Sequence, residues 1–373
     1  MNTELIRTVI LMRHGLRTPS ADISACTSRR WFHSPLWRGQ LTRRGRDLCF
    51  GMGQWMREEL QEKGLPALNR ENVKVSASQS ARTVASAHAF SEGLTGERPP
   101  AADIETVDAG LFAPKLSGMN AAFQAQAEMQ AAEAVHVPDI ACVQKALLQE
   151  FALLQKILLP RENLDTAETK LILHNGQGPR LEGALQTAAT LSDALICRHM
   201  LHPSFLKRIE DRDWQALSRI CNTRRRILFG TDILVRNSLG ALLTKLGEEL
   251  SNGNSTCTLL CGHDSTVKAV MTALNILPCT FPGSVFGEIP PGFCLNMELY
   301  RGDRAHVFLR FRMVYPLDAQ LLGRMPLNKS HPPGSQPLFL YGTPAAGGLY
   351  LLEDIVRLLT GQEGNFPGDC GSL

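Results

Sequence analysis

Four apolar residues, Val9, Ile10, Leu11 and Met12, run without a break into Arg13-His14-Gly15-Leu16-Arg17-Thr18-Pro19. No other stretch restricts the fold of this chain as tightly. A strand that is apolar at successive positions buries both of its faces, the pattern of a central strand in a parallel sheet covered by helices on each side. Sheets of that kind bind ligands in the crevice at the carboxyl ends of their strands. Arg13, His14 and Arg17 therefore crowd one small crevice, and Gly15 is expected to let the backbone turn sharply there. Like charges held so close are costly unless an anion lies among them. Phosphate is the anion that suits such a cluster.

The rest of the chain extends the same rhythm. After a polar, aromatic loop over residues 20–40, a helical pattern starts at Thr42 and passes through Leu48, Met52, Trp55, Met56 and Leu60 until Gly64 and Pro66 stop it. Residues 73–77 read as a strand, and residues 82–94 as a helix with Val84, Ala87, Phe90 and Leu94 on one face. Strand, helix, strand, helix is the order of a parallel sheet. From 119 to 250 the chain turns to Ala, Gln, Leu and Glu at helical spacing, broken at Pro138, Pro160, Gly176-Gln177-Gly178-Pro179 and Pro203. A strand at 256–261 and a helix at 265–274 resume the rhythm. Residues 293–300 and 306–314 alternate like antiparallel strands around Gly302-Asp303. Residues 324–347 read as a long surface loop, 349–359 as a closing helix, and the tail from Gln362 as mobile. The expected architecture is thus α/β, a mostly parallel central sheet flanked by helices. Its core comprises residues 1–118 and 251–373, with a helical insertion subdomain over 119–250.

Composition excludes several function classes. The 373 residues, 44% apolar and 20% charged, suffice for a large buried core. The net charge is only +3 and the longest basic run is Arg224-Arg225-Arg226, read as a solvated helix face, so no nucleic-acid partner is expected. No stretch approaches the roughly 18 apolar residues of a membrane span, and the amino terminus lacks the features of a signal peptide. The expected location is cytoplasmic, with signal-independent export or a trimmed leader as the alternatives. Most of the ten cysteines sit inside apolar runs, Cys257 and Cys261 on one strand face and Cys142, Cys197 and Cys221 in helical patterns, so reduced thiols are expected. Cys197, His199 and His202 have no second cluster at ligand spacing. They read as a surface helix, and neither a metal nor a cofactor is expected.

Three strand ends carry the chemistry. The first holds Arg13, His14 and Arg17, the second is followed by Arg82 near a helix start, and the third gives His263 and Asp264 at another helix start. Parallel topology places all three at one edge, where helix N-termini add donors for an anion. Guanidinium neighbours lower the pKa of His14, leaving a neutral imidazole able to attack phosphorus. Phosphoryl transfer needs little beyond positioning and charge neutralisation, which Arg13, Arg17, Arg82 and His263 supply without a metal. The leaving alkoxide needs a proton. Asp264 is the nearest carboxyl, placed to donate it and to cap its helix, and an acidic pH optimum is expected.

These residues resemble the motifs of the histidine acid phosphatases. The heptad from Arg13 to Pro19 is similar to their RHGxRxP motif, His263-Asp264 to their HD motif, and Arg82-Thr83-Val84-Ala85-Ser86-Ala87 to the QRTxxTA segment, with Ala81 in place of glutamine. The likeness extends to the bacterial glucose-1-phosphatase and phytase branch through Trp31, Gly39-Gln40-Leu41-Thr42, residues 52–60, Gly262-His263-Asp264-Ser265 and Met271-Thr272-Ala273-Leu274. Residues 178–195 more weakly resemble its helical subdomain. The disulfide cysteines of secreted members do not line up here. The resemblance implies a phosphomonoesterase acting through a phosphohistidine on small phosphorylated substrates such as sugar or inositol phosphates. In it His14 is the nucleophile, Arg13, Arg17, Arg82 and His263 are the phosphate clamps, and Asp264 is the proton donor. Ser20, Trp31 and Met200 fall on the substrate side, Met200 where glucose-1-phosphatase-like chains carry an acidic residue. The loop Arg29-Arg30-Trp31-Phe32-His33, with Trp37-Arg38, is a candidate lid. A phosphoglycerate-mutase-like transferase fits less well, because Leu16 stands where that branch has glutamate and because the HD pair is foreign to it. Intact His14 and Asp264 weigh against a non-catalytic phospho-ligand binding module.

Overall fold

The sheet is assembled around one strand. In the computed structural model, residues 3–31, 35–100, 103–106, 109–159, 166–206, 209–302, 306–342 and 347–361 are described. The strands in chain order are β1 (Glu4–Arg13), β2 (Val73–Ala77), β3 (Ile104–Thr106), β4 (Lys170–Ile172), β5 (Arg180–Glu182), β6 (Cys257–Gly262), β7 (Cys294–Arg301), β8 (Val307–Tyr315), β9 (Gly334–Leu338) and β10 (Tyr350–Leu351). The helices are α1 (Arg43–Glu62), α2 (Ala81–Thr95), α3 (Ala109–Phe112), α4 (Ala121–Glu133), α5 (Val143–Ala146), α6 (Leu148–Leu158), α7 (Ala184–Leu201), α8 (Asp211–Phe229), α9 (Asp232–Asn252), α10 (Asp264–Ala273), α11 (Asp318–Leu321) and α12 (Leu352–Thr360). The main sheet runs β10-β8-β7-β1-β6-β2-β3, with β9 also paired to β8. β1, β6, β2 and β3 are parallel, whereas β7 and β8 continue the sheet antiparallel from the other side of β1. The result is a mixed sheet whose parallel half carries the crevice.

β1 is central because its sequence can cover both faces. Side chains alternate across a strand, so Val9 and Leu11 join Val267, Val270 and Met297 on one face, against α9, α10 and α12. Ile10 and Met12 join Met52, Met56, Phe90 and Cys261 on the other, against α1 and α2. Each side chain as fully buried as Met52 or Phe90 contributes about 1.5–3 kcal/mol by leaving water. Helices α1 and α2 pack at glycine contacts. A Cβ on Gly53 would lie 2.1 Å from the Phe90 carbonyl oxygen, and one on Gly93 would lie 2.1 Å from that of Phe50. The α1 start is the expected one, since the Thr42 side chain accepts from the Gly45 N–H and satisfies an orphan donor.

A third apolar cluster joins α4, α6, α7 and α8 around Leu154, Leu195, Trp214 and Leu217. The last helix of the 119–250 stretch behaves differently: α9 contributes Val235, Leu239, Leu242 and Leu246 to the sheet face and bends at Leu239, where φ is −125° and ψ is 17°. Two features differ from expectation. The hairpin β4–β5 interrupts the helical region, and the segment 324–347 contains β9, which pairs with β8. Pro337 within β9 argues against a strand in sequence, but an edge strand tolerates a residue that donates no hydrogen bond. Phe32, His33, Asp303 and the tail from Gln362 lie outside the described residues.

Candidate active site

Register places the three strand ends level with one another. Arg13 stands beside Gly262, and Ala77 beside Cys261, so β1, β6 and β2 stop at one height and release His14, His263 and the loop to α2 into the same crevice. The backbone of the β1 end is held on both sides: Arg13 N–H donates to Phe293 O at 2.8 Å, and His14 N–H donates to Gly262 O at 3.0 Å. Gly15 acts by its size. Its φ is outside the left-handed region, but a Cβ there would meet Cys49 Sγ at 2.6 Å and Gly45 O at 2.8 Å. The expected sharp glycine turn is instead a close approach of β1 to the start of α1. Ser86 fixes this bend by accepting from Gly15 N–H at 3.0 Å while donating to Arg82 O at 2.6 Å.

His14 is buried, with 2% of its surface exposed. Its Nδ1 lies 2.9 Å from Gly15 O, so Nδ1 carries the proton and Nε2 keeps its lone pair. Burial, then Arg13 and Arg17, hold its pKa well below the usual imidazole value. His263 meets it edge-on, with ring centroids 5.4 Å apart, and is itself pushed down to about 4 by burial and by Arg82. Both imidazoles are therefore neutral near neutral pH. His263 is further placed by Ser78 Oγ at 3.3 Å and Arg82 Nη2 at 3.3 Å.

The guanidinium groups are positioned from different elements. Arg13 Nη1 donates to Ile289 O at 2.5 Å. Arg17 forms a two-point pair with Asp193 of α7, at 3.1 and 2.9 Å, and burial, which opposes its charge, is outweighed by that carboxylate. Among the described residues, Arg13 Nε and Arg82 Nε are buried and find no acceptor. Unpaired donors of this kind are costly unless an anion satisfies them. Burial, then Arg17 and Arg13, lower the pKa of Arg82, which records the same crowding of positive charge.

Asp264 sits at the start of α10, its Oδ1 accepting from Ser265 N–H at 3.0 Å. Its Oδ2 accepts from Arg225 Nε at 3.0 Å and Nη2 at 2.7 Å, with Arg13 Nη2 at 3.8 Å. Burial works to raise its pKa, but Arg13 and Arg225 hold it well below the ordinary carboxylate range. Arg13, Arg17, Arg82 and Arg225 thus face Asp193 and Asp264, leaving a surplus of two positive charges. That surplus matches a phosphate dianion.

Arg225 is the residue that sequence reasoning missed. The run Arg224-Arg225-Arg226 was expected to be a solvated face, yet Arg225 is 9% exposed and turned inward onto Asp264, while Arg224 lines the cavity beside the crevice. Asp193 was missed as well. No local signal marks either residue, because each is defined by a partner at least 39 positions away. The cavity has a volume of about 370 Å³ and is bordered by Arg17, Ser20, Gln186, Thr190, Asp193 and Arg224. Met200, expected on the substrate side, is buried in the apolar cluster and does not line this cavity. The acidic residue of α7 at the crevice is Asp193, two helical turns earlier. Trp31 packs against Phe205 with centroids 6.0 Å apart and lies under Arg198, away from the cavity lining. His199, expected at a surface, is buried and stacks on Trp214 at 4.1 Å, with burial pushing it down to about 4.

Fold and site together have the pattern of a histidine-dependent phosphatase, an α/β sheet with a neutral imidazole among guanidinium groups at its edge. The family profile of the histidine phosphatase superfamily (branch 2) matches residues 4–147 of this chain. It is 26% identical over 379 residues to glucose-1-phosphatase of Salmonella typhimurium, covering 91% of this chain and 88% of that protein. It is 24% identical over 378 residues to phytase AppA of Escherichia coli, covering 90% and 86%. Among solved structures, Hafnia alvei phytase in complex with tartrate superposes with a TM-score of 0.85 at 24% identity, covering 98% of each chain. The same phytase in complex with myo-inositol hexakis sulphate gives 0.84 with the same coverage. These structural matches establish the shared fold.

Proposed function

We propose that this protein hydrolyses phosphomonoesters of small polyols through a phosphohistidine on His14, with no metal in the reaction. The observation that carries this reading is a buried His14, neutral and with Nε2 unprotonated, inside a site with two surplus positive charges. In the first step the Nε2 lone pair forms a bond to phosphorus and the bond from phosphorus to the ester oxygen breaks. Asp264 gives its proton to the leaving alkoxide. In the second step water attacks phosphorus, Asp264 takes up the water proton, the bond to Nε2 breaks, and phosphate leaves with His14 restored. Arg13, Arg17 and Arg82 neutralise the phosphoryl oxygens throughout.

A proton on Asp264 conflicts with the cations that hold it ionised in the free protein. Substrate resolves the conflict. A bound phosphate cancels the positive surplus and raises the Asp264 pKa, and a phosphomonoester monoanion, whose last proton leaves near pH 6, brings the proton with it.

The polar cavity supports a hydroxyl-rich leaving group, since Ser20, Gln186, Thr190 and Asp193 offer donors and acceptors at its wall. The names of the relatives, glucose-1-phosphatase and phytase, point to the same chemical class. The test is rapid quenching with labelled glucose phosphate in base. Wild type is expected to yield a base-stable, acid-labile phosphoenzyme that His14→Ala lacks, and full turnover by His14→Ala would overturn the assignment.

A further inference from the structure

A second cavity, of about 460 Å³, opens on the other side of the segment that holds Arg13 and Arg225. It is bordered by the end of α8, by α10 and by the chain at 276–281, with Met271, Ile276 and Phe281 forming an apolar floor and the exposed Leu277 at its rim. Three basic groups reach it, His136, Arg226 and Lys268, against one carboxylate, Glu288. Arg226 is ion-paired with Glu288. Lys268 differs. Among the described residues it makes no hydrogen bond and no ion pair, and burial lowers its pKa despite the longer-range pull of Glu288. An apolar floor under an uncompensated cation is the pattern of a site for an anion with an apolar body.

The cavity wall is also part of the active-site frame. Glu288 and Ile289 both line it. On the opposite side, the Glu288 carbonyl accepts from Arg225 Nη1 at 3.3 Å and the Ile289 carbonyl accepts from Arg13 Nη1 at 2.5 Å. Ile289 has φ of 56°, a conformation that a β-branched residue rarely adopts. Strain of this kind persists only while the surroundings enforce it, and the Arg226 to Glu288 pair anchors the residue directly before it.

We propose that this cavity binds a small organic monoanion with an apolar body, which pairs with Lys268 and Arg226 and thereby governs catalysis. The anion competes with Glu288 for Arg226. Once Glu288 is released, the carbonyls of Glu288 and Ile289 shift, and Arg225 and Arg13 lose the partners that aim them at Asp264 and the phosphoryl group. Bound anion therefore lowers kcat without competing with substrate.

Benzoate is a suitable probe, and its binding is read in two ways. At about 10 mM, ten times a millimolar Kd, it is expected to raise the melting temperature of the intact protein and to lower kcat for an alkyl phosphate, a loss that saturating substrate does not reverse. Lys268→Met removes the unpaired cation, and Leu277→Glu places a carboxylate at the exposed rim of the cavity. Each is expected to weaken benzoate in both measurements by about tenfold, the value of one charge-assisted contact, with kcat in the absence of benzoate within about twofold of wild type. Inhibition that only raises KM, or that is equal in wild type and both variants, overturns the proposal. So does benzoate that changes neither the melting temperature nor kcat. The melting readout does not depend on turnover, so failure here is distinguishable from failure of the phosphohistidine reading.

Discussion

The behaviour of His14 and Asp264 follows from the charges around them rather than from the residue types alone. Burial, then Arg13 and Arg17, keep His14 neutral well below the usual imidazole pKa, so mild acidification does not silence the nucleophile. Asp264 has the opposite problem, because Arg13 and Arg225 favour its ionised form. The expected pH profile has its fall on the alkaline side, where kcat/KM declines as the substrate loses its last proton above about pH 6. Asp264→Asn separates proton donation from capping. The variant should lose about 100-fold or more in kcat for an alkyl phosphate, the scale of general acid catalysis, and far less for p-nitrophenyl phosphate, whose leaving group needs no proton. Steady-state rates on the two substrates decide this, and equal losses would leave Asp264 a structural role only.

Elements meet here where side chains are absent. Gly53 and Gly93 bring α1 and α2 together so closely that each faces a carbonyl oxygen of the other helix. Gly53→Ala is therefore expected to destabilise the protein by about 1–3 kcal/mol through overpacking, despite the better helix propensity of alanine. Gly240→Ala in α9 is the control, since a Cβ there meets nothing within 4 Å. It should be neutral or stabilising by about 0.4–1 kcal/mol. Urea unfolding of the two variants measures the difference, and equal midpoints would remove close packing as the reason for Gly53. The same logic corrects the reading of Gly15, which serves contact with α1 rather than a special backbone angle. Patterns within an element, such as the helix start at Thr42 and the strand at 73–77, were legible because their causes lie within a few residues. β9 was not, because an edge pairing depends on β8 and overrides Pro337.

At the scale of the whole molecule the site joins two layers. Arg13, His14, Arg82, His263 and Asp264 come from the parallel half of the sheet and its helix starts, while Asp193 and Arg225 come from α7 and α8 in the helical stretch. An anion in the crevice relieves repulsion among the cations that those layers bring together. Inorganic phosphate at 100 times its Kd should stabilise the protein by about 2.7 kcal/mol, seen as a rise in melting temperature that Arg82→Ala largely abolishes. A rise of equal size in that variant would place phosphate elsewhere. The sequence by itself determined the central strand, the parallel rhythm of its neighbours, and the six residues at three strand ends, because periodicity and short motifs are local and parallel topology sends those ends to one edge. Only the tertiary structure decided that Arg225 faces Asp264, that Asp193 rather than Met200 reaches the crevice, and that Glu288 and Ile289 aim the arginines. Those assignments depend on which face of α7 and α8 turns toward the sheet, and a helix's own sequence does not say which neighbour its polar residues will meet.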